Sequence, residues 1–235
     1  MDKSLQIDDI ARKIYLASLP KDQRPLARWE LVDERHKLSI WYPRAELQIK
    51  ATAAECYETP VWAAEGILEL EDIGPRVVDP CCGPGVLTRA AQARGLTVTA
   101  TDLYDWGFGL VGVDFLDMAY AAVYQAGGDF TVFMNPPFSK ACEFVEQAFA
   151  LGARKVVCFQ RFAWYESVKR EEFWDDMPCS RIWLCGNRAS CWRVDISEEE
   201  RKKSGGSTTA HAWFIFEPGH VGNPIVKRFY KGKTK

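Results

Sequence analysis

The sequence lacks a membrane-spanning run, because no stretch approaches the about 18 consecutive apolar residues that a transmembrane helix needs. Its start, Met1-Asp2-Lys3-Ser4, lacks the apolar core of a signal peptide. Neither sign of charge dominates, since 30 basic and 32 acidic residues leave a net charge of −2. The 235 residues are enough for one large domain around a buried sheet. We therefore expect a cytoplasmic protein without membrane contacts.

The sequence also lacks the patterns of a metal-binding or disulfide-rich protein. It has eight cysteines and three histidines but no Cys-x-x-Cys. Cys179, Cys185 and Cys191 recur at a regular interval, yet neither His211 nor His220 completes a zinc-type spacing. We expect free thiols and no metal.

A glycine-rich segment follows the apolar residues Val77 and Val78. It lacks both the Gly-Lys-Ser/Thr ending of a P-loop and the full Gly-x-Gly-x-x-Gly dinucleotide pattern, which argues against a phosphate ligand. An apolar strand, a glycine turn and a helix start are nevertheless how α/β folds build nucleotide pockets. Asp79 places a carboxylate just before Gly83 and Gly85. This charge favours a ligand that carries an ammonium group.

Two further acids end the next predicted strands. Asp102 lies 17 residues after Gly85, about the interval at which an acid binds ribose hydroxyls in nucleotide folds. Asp114 ends the third predicted strand and could accept from an adenine amino group, while Phe115 covers the ring. Each acid alone is better explained by a solvated strand end. Together they indicate a ribose and a cation without a pyrophosphate, which is the combination found in S-adenosylmethionine.

The tetrapeptide Asn135-Pro136-Pro137-Phe138 follows the apolar run 130–134 and indicates chemistry on a planar nitrogen. Such a nitrogen is a poor nucleophile because its lone pair is delocalised. The Asn135 side-chain oxygen and the Pro136 carbonyl could accept both N–H protons, on a turn that two prolines make rigid. Phe138 offers a face on which a flat base can stack. The alternative is an ordinary Pro-Pro turn that leaves a strand.

These motifs resemble those of class I S-adenosylmethionine-dependent methyltransferases, and among them the amino-methyltransferases with an Asn/Asp-Pro-Pro-aromatic signature. The resemblance covers roughly residues 55–217. It implies that Asp79 to Gly85 form the cofactor loop, that Asp102 binds the ribose and Asp114 the adenine edge, and that Asn135 to Phe138 form the catalytic turn. Thr59-Pro60 resembles the element that holds the methionine end of the cofactor in adenine-N6 DNA enzymes.

The resemblance leaves the methyl acceptor open. The motif order is that of the gamma group of adenine-N6 DNA methyltransferases, and it also occurs in release-factor glutamine and ribosomal RNA methyltransferases. We favour N6 of adenine in DNA, modified by a compact enzyme of the kind found in phages and mobile elements. An RNA adenine or a protein glutamine amide is the alternative acceptor. A third possibility is a cofactor-binding subunit without turnover of its own.

Alternating strand and helix patterns predict a Rossmann-like, doubly wound, mostly parallel α/β sheet. By the resemblance it has seven strands, the last antiparallel. We expect an N-terminal helical extension at 1–54, with one helix through Ile7 to Leu16 and another through Leu26 to Leu31. The methyltransferase domain spans 55–217, and a basic tail spans 218–235.

Little sequence remains to recognise a macromolecule. The segment 186–209 contains Arg188, Trp192 and Arg193, which could contact phosphate and wedge a base. The alternative is a surface loop with a packed Trp and solvated charges. Phe162, Trp164 and Tyr165 are likewise either pocket residues or core. The oligomeric state is left open.

Overall fold

Apolar runs that are buried along nearly their whole length form the centre of the sheet. The computed structural model describes residues 10, 11, 13, 14, 42–125, 128–204 and 208–232. The strands are β1 (Tyr57–Glu58), β2 (Arg76–Asp79), β3 (Thr97–Asp102), β4 (Leu110–Val111), β5 (Thr131–Met134), β6 (Lys155–Arg161), β7 (Cys179–Cys185), β8 (Trp192–Arg193), β9 (His211–Phe216) and β10 (Ile225–Phe229). Strands β5 and β9 are buried at every residue. This pattern is typical of strands covered on both faces.

Helices flank these strands. They are α1 (Tyr42–Ala53), α2 (Val61–Leu70), α3 (Val86–Gln92), α4 (Ala121–Gln125), α5 (Ala141–Ala150), α6 (Glu171–Asp176) and α7 (Glu198–Lys203). Short 3-10 turns span Met118–Tyr120, Phe138–Lys140, Phe162–Tyr165 and Val168–Arg170. In the described part of the chain, no helix is long and apolar enough to cross a membrane.

The main sheet has the order β4-β3-β2-β5-β6-β9-β7-β10. Strand β9 is antiparallel to β6 and β7, and the other pairings are parallel. The predicted doubly wound α/β fold is therefore confirmed, including its antiparallel strand. A separate two-stranded ribbon pairs β1 with β8.

The sheet has eight strands rather than the seven expected. The additional strand, β10, comes from the segment assigned to a basic tail, and it pairs in parallel with β7. Its first four residues are exposed, and Lys227 and Arg228 interrupt its apolar pattern. Charged, exposed residues are common on edge strands, where they oppose aggregation, and they weaken the strand signal in the sequence.

The two faces of the sheet carry separate hydrophobic clusters. One contains Phe115, Tyr124 and Phe144 with helix α5, and the other contains Ile67 and Trp213 with helix α2. Both clusters include residues from the central strands, so the sheet is the shared middle layer of the core.

The N-terminal region contributes helix α1 beside the domain. Arg44 of α1 forms an ion pair with Glu200 at 2.5 Å. Of the two helices predicted earlier in the chain, the first is described only at four residues, where Ile10 and Ile14 are helical. The second, Leu26 to Leu31, lies outside the described residues.

A cluster of ion pairs closes the edge of the sheet where the parallel strands begin. Glu71, which is 7% exposed, accepts from Arg181 at 2.6 and 2.7 Å and from the indole of Trp183 at 2.8 Å. Lys155 contacts both Glu71, at 3.2 Å, and Glu217, at 3.0 Å. Each carboxylate in this cluster therefore has at least two charged partners.

The cysteines form no disulfide, since all eight are free. Among the described residues, no group of three or more His, Cys, Asp or Glu side chains is arranged to hold a metal ion.

Candidate active site

A cleft opens at the carboxyl ends of strands β2, β3 and β5, where the chain connections diverge to opposite sides of the sheet. This is the position at which open α/β sheets bind ligands. Its walls include six of the residues predicted from the sequence, namely Thr59, Gly83, Asp102, Asp114, Phe115 and Asn135. Five of the predicted cofactor residues therefore share one cavity with the predicted catalytic Asn, whereas Asp79 and Gly85 do not line it.

Asn135 is held in one orientation by two acceptors. Its amide nitrogen donates to the backbone carbonyl of Tyr57 at 2.8 Å and to the Thr59 hydroxyl at 3.0 Å. A carbonyl oxygen can only accept, so the atom that faces Tyr57 must be the amide nitrogen. Both N–H donors are thereby used, and no described residue donates to the side-chain oxygen. Asn135 thus presents a fixed acceptor at the cleft.

The Thr59 hydroxyl bonds Asn135 and does not cap the helix that follows it. A Thr-Pro pair before a helix is a common capping arrangement, yet helix α2 begins at Val61 with Pro60 at its N-cap and no side-chain cap. The Thr59 hydroxyl instead bonds Asn135. This contact joins the Thr-Pro element directly to the predicted catalytic turn.

The remainder of the turn is braced from strand β6. The Gln160 amide donates to the Pro136 carbonyl at 3.4 Å. A carbonyl oxygen has two lone pairs, so Pro136 retains the capacity to accept a second bond. Pro136 itself is buried and is not part of the cleft wall, whereas Asn135 is.

Phe138 is covered by other side chains. The Tyr57 ring stacks on it with centroids 5.3 Å apart and 19° between the planes. The Arg161 guanidinium lies 4.4 Å from the ring centroid, and the His211 ring lies 6.2 Å away at 40°. A base can therefore stack on Phe138 only after one of these groups moves.

The glycine loop has the backbone that the sequence predicts. Gly83 and Gly85 have φ values of +52° and +90°, in the left-handed region that favours glycine. A Cβ at Gly85 would lie 2.5 Å from the Phe108 ring. Gly83 forms part of the cleft wall, whereas Gly85 packs under Phe108 at the start of helix α3.

Asp102 is a well-bonded carboxylate in the cleft wall. It accepts from the backbone N–H of Gly83 and Tyr104, both at 2.9 Å, and from the Trp106 indole at 3.2 Å. Burial raises the pKa of Asp102, against the lowering effect of these bonds. The Lys50 ammonium lies 4.2 Å from the Trp106 ring centroid, so helix α1 reaches this wall of the cleft.

Asp79 lies beneath the loop rather than in the cleft wall. It is 0% exposed, and one carboxylate oxygen accepts from the Thr88 hydroxyl at 2.7 Å. The other oxygen has no hydrogen-bond partner among the described residues. Burial, opposed by the Thr88 bond and reinforced by the Asp102 charge, raises the pKa of Asp79 to about 7.

Asp114 and Phe115 contribute the third side of the cleft. One oxygen of Asp114 accepts from the Leu116 N–H at 3.0 Å, which fixes a local turn. Phe115 is 1% exposed and packs edge-on against Tyr124 at 5.1 Å, so its ring belongs mainly to the core. Phe115 nevertheless lines the cleft, and its contact with a ligand stays a prediction.

The predicted macromolecule-binding residues are mostly engaged elsewhere. Arg193 forms two 2.8 Å bonds with Asp195 and a third, at 2.9 Å, with the Thr52 hydroxyl. Trp192 pairs with Glu58 in the β1–β8 ribbon. Arg188 is exposed and donates to the Thr208 carbonyl. The segment thus lies beside the site, but it is tied down by contacts that its composition does not reveal.

Several residues of the site were missed by the sequence analysis. Tyr57, Gln160 and Arg161 contact the catalytic turn, and Trp106 contacts Asp102. Their only sequence signal is proximity to motif residues or to the end of a predicted strand. Trp164, one of the ambiguous aromatics, is 5% exposed and belongs to the core.

The cleft fits a cationic nucleoside in its donor and acceptor set. The buried Asp79 oxygen without a partner and the nearby Asp102 provide negative charge. Gly83 keeps the loop free of side-chain bulk, and the second oxygen of Asp114 has no hydrogen-bond donor among the described residues. This set suits an ammonium or sulfonium group, ribose hydroxyls and an adenine amino group better than a phosphate.

Solved structures with a similar fold include methyltransferases. The methyltransferase subunit of a type I restriction-modification system from Streptococcus thermophilus aligns with a TM-score of 0.51 and 12% identity, over 83% of this chain and 52% of that chain. A protein from Vibrio vulnificus described as the modification subunit of a type I restriction enzyme aligns with a TM-score of 0.49 and 13% identity, over 86% of this chain and 54% of that chain. A protein from Pyrococcus horikoshii described as an RNA methyltransferase aligns with a TM-score of 0.46 and 17% identity, over 74% of this chain and 97% of that chain.

The chain spans about half the length of the two restriction-modification subunits. No family model and no curated protein sequence matches the chain. The structural likeness to the Streptococcus thermophilus subunit concerns the fold, at 12% identity. This protein has the Rossmann-like α/β fold that those methyltransferases share.

Proposed function

We propose that the protein transfers a methyl group from S-adenosylmethionine to an exocyclic amino nitrogen, namely N6 of adenine in DNA. The observation that supports this most strongly is the Asn135 side chain. Its two donors are bound to Tyr57 and Thr59, so its oxygen is the free atom at the cleft. An acceptor fixed in advance can take an N–H proton of the target amine and localise the nitrogen lone pair.

The cofactor would be held by residues from three strands. Asp102 would accept from the ribose hydroxyls, Asp114 from the adenine amino group, and the Gly83 turn would lie against the methionine portion. Asp79 would act through its charge from beneath the loop. When bound, this cofactor supplies an electrophilic methyl group.

The protein's own residues then act by positioning. Asn135 would accept one N–H of the amine and hold its lone pair towards the bound methyl donor, so that the methyl group leaves a thioether behind, the surplus proton of the amine passes to water, and no covalent intermediate forms. The cysteines of the cleft do not suit a nucleophilic role. Burial raises the pKa of Cys82 to about 12, and the charges of Asp79 and Asp102 add to this effect. A neutral thiol is a weak nucleophile, which argues against a carbon-methylation route.

Adenine in DNA is preferred as acceptor because of the Asn-Pro-Pro-Phe turn and its order after the Thr-Pro element. The protein of similar fold with a TM-score of 0.51 is the methyltransferase subunit of a restriction-modification system, which agrees with this assignment. An RNA adenine or a protein glutamine amide would require the same acceptor geometry. A non-catalytic cofactor-binding subunit would not need Asn135 to be held by two hydrogen bonds.

The proposal is tested by identifying the methylated product. The purified chain is incubated with methyl-labelled cofactor and, in parallel, with plasmid DNA, ribosomal RNA and release factor, and each is digested to monomers. We expect label in N6-methyladenine from DNA. Label found only in RNA or only in glutamine would show that the methyl acceptor is RNA or a protein instead of DNA. No label in any sample would contradict enzymatic activity of the lone chain.

A further inference from the structure

Arg161 covers the ring on which the target of the catalytic turn would stack. It is the last residue of β6, and β6 pairs in parallel with β5, which leads into Asn135. Both strand ends therefore lie at the same edge of the sheet. The guanidinium carbon of Arg161 is 4.4 Å from the centroid of the Phe138 ring.

The Arg161 side chain is held there by no other strong contact. It is exposed, and no described carboxylate or carbonyl forms an ion pair or hydrogen bond with it. Arg193 and Arg201, in contrast, are paired with Asp195 and Glu58. An exposed cation–π contact is weaker than the stacking of a base on an aromatic ring, so a base can displace the Arg161 guanidinium.

The other groups around Phe138 are less able to move. Tyr57 lies in the β1–β8 ribbon, and its carbonyl fixes Asn135. His211 is 3% exposed and stacks on Phe159 with centroids 5.4 Å apart. Burial lowers the pKa of His211 to about 4, and the Arg161 charge contributes, so His211 is neutral at physiological pH. Arg161 is thus the mobile cation at this position.

We propose that Arg161 is a substrate-binding residue that stacks on Phe138 in the free protein and binds a backbone phosphate beside the target base once that base takes its place. The planar guanidinium offers five N–H donors and matches phosphate geometry. This inference rests on the proposed methyl transfer and narrows the substrate to a nucleic acid, because a glutamine side chain brings no phosphate.

The test compares Arg161→Ala, Arg161→Lys and Arg89→Ala. Arg89, on helix α3, is the control, since its guanidinium also lies over an aromatic ring, 4.5 Å from the Phe108 ring centroid, and it donates in addition to the Pro84 carbonyl. Binding of fluorescently labelled duplex DNA, its single strands and RNA of the same sequence is measured by anisotropy at several salt concentrations. Thermal unfolding verifies that each variant is folded, independently of cofactor binding.

The logarithm of the association constant falls linearly with log[salt]. We expect Arg161→Ala to make this slope less steep by about 0.9 on duplex DNA, or by about 0.7 on a single strand, as loss of one phosphate contact requires. Affinity should fall by roughly tenfold on the nucleic acid that binds tightest. Arg161→Lys should keep the wild-type slope, because it keeps the charge. Arg89→Ala should also keep it.

An unchanged slope in Arg161→Ala, or an equal reduction in Arg89→Ala, would overturn the assignment of Arg161. The methyl-transfer assay separates this failure from failure of the proposed function. If the wild-type chain methylates DNA or RNA while the Arg161→Ala slope is unchanged, only the Arg161 inference is wrong. If label enters protein and no nucleic acid binds, the nucleic-acid substrate itself is wrong.

Discussion

Charged and polar groups are arranged in opposite ways at the two ends of the parallel strands. At the edge where the strands begin, Glu71, Lys155, Arg181 and Glu217 satisfy one another. At the edge where they end, a buried oxygen of Asp79 has no partner in the described part of the chain, and both donors of Asn135 are used so that its oxygen stays free. The first arrangement stabilises the fold, whereas the second leaves capacity for a ligand.

This contrast shows how stability and binding can be separated in one sheet. A buried group with all partners in place contributes to folding and has nothing left to offer a ligand. A buried acceptor without a partner costs folding free energy. Such a group is expected where a ligand completes the bonding, and the Asp79 oxygen lies beneath the glycine loop, next to the cleft.

The largest effect should come from breaking the paired edge. Glu71→Ala leaves Lys155 and Arg181 with the more exposed Glu217 as their remaining carboxylate, and it should lower the free energy of unfolding by about 3 kcal/mol. Glu69→Ala is the control, because its ion pair with Arg94 is exposed and should be worth less than about 1 kcal/mol. Urea denaturation measures both. Similar losses in the two variants would contradict a dominant role for the buried cluster.

The next largest effect should come from the free acceptor. Asn135→Ala should reduce turnover by about 10² or more, while cofactor affinity changes little, since the acceptor acts on the amine. Asn135→Asp should be comparably impaired, because a carboxylate oxygen would then face the Tyr57 carbonyl. Single-turnover kinetics and calorimetry separate the two quantities.

Asn187→Asp is the matched control for that substitution. Asn187 only accepts, from the Lys231 N–H at 2.8 Å, so a carboxylate preserves its bond. We expect wild-type turnover in this variant. An Asn135 variant that loses cofactor affinity but keeps the chemical step would reverse the role assigned to the acceptor.

A smaller effect concerns pH and cofactor binding. Asp79, with its pKa raised to about 7 by burial, should release its proton when a cation binds, so affinity should rise with pH up to about 7 and then level off. The limiting slope is about tenfold per pH unit. Asp79→Asn should flatten this profile in calorimetric titrations from pH 5.5 to 8.5. A profile identical to that of the wild type would show that the Asp79 charge does not reach the ligand.

The pH dependence of stability should also distinguish the two ends of the strands, because their carboxylates should act with opposite signs. Burial alone would raise the pKa of Glu217, but bonds from Arg181, Ser180 and Lys155 lower it to about 2. Its contribution is therefore present above its unfolded pKa of about 4.5 and is lost as the pH falls towards 2. The raised pKa of Asp79 gives a contribution that is lost as the pH rises from about 4 through 7.

Glu217→Gln and Asp79→Asn test the contributions of these two carboxylates to stability separately. The first should flatten the acid limb of the plot of unfolding free energy against pH, and the second should flatten the decline towards neutral pH. Thermal or urea unfolding across the pH range measures both. If Glu217→Gln alters the neutral limb instead, the assignment of the two carboxylates is wrong.

The sequence predicted the ends of the central strands better than the surface around them. Asn135 was identifiable because a buried apolar run stops at a polar residue, and Asp102 because of its interval after Gly85; parallel strands bring both residues to one end of the sheet. Strand β10 was missed because an exposed edge strand carries no apolar pattern. The Arg193–Asp195 pair was missed because partner choice among surface charges depends on tertiary geometry.

The same limit applies within the candidate site. Spacing indicated that Asp79 belongs to the loop. Whether its side chain lines the cleft or lies beneath it depends on how deeply it is buried, and the local sequence does not determine that. The two acceptors that orient Asn135 come from residues 57 and 59, more than 70 positions away. Such a contact follows from the ribbon between β1 and β8, which no local pattern predicts.

A crystal structure of the chain with S-adenosylmethionine tests the central claim most directly. We predict that the ribose contacts Asp102 and that the methyl group faces the side-chain oxygen of Asn135 across the cleft, with the Tyr57 and Thr59 bonds unchanged. An Asn135 oxygen turned away from the methyl group, or a cofactor bound outside this cleft, would contradict the account.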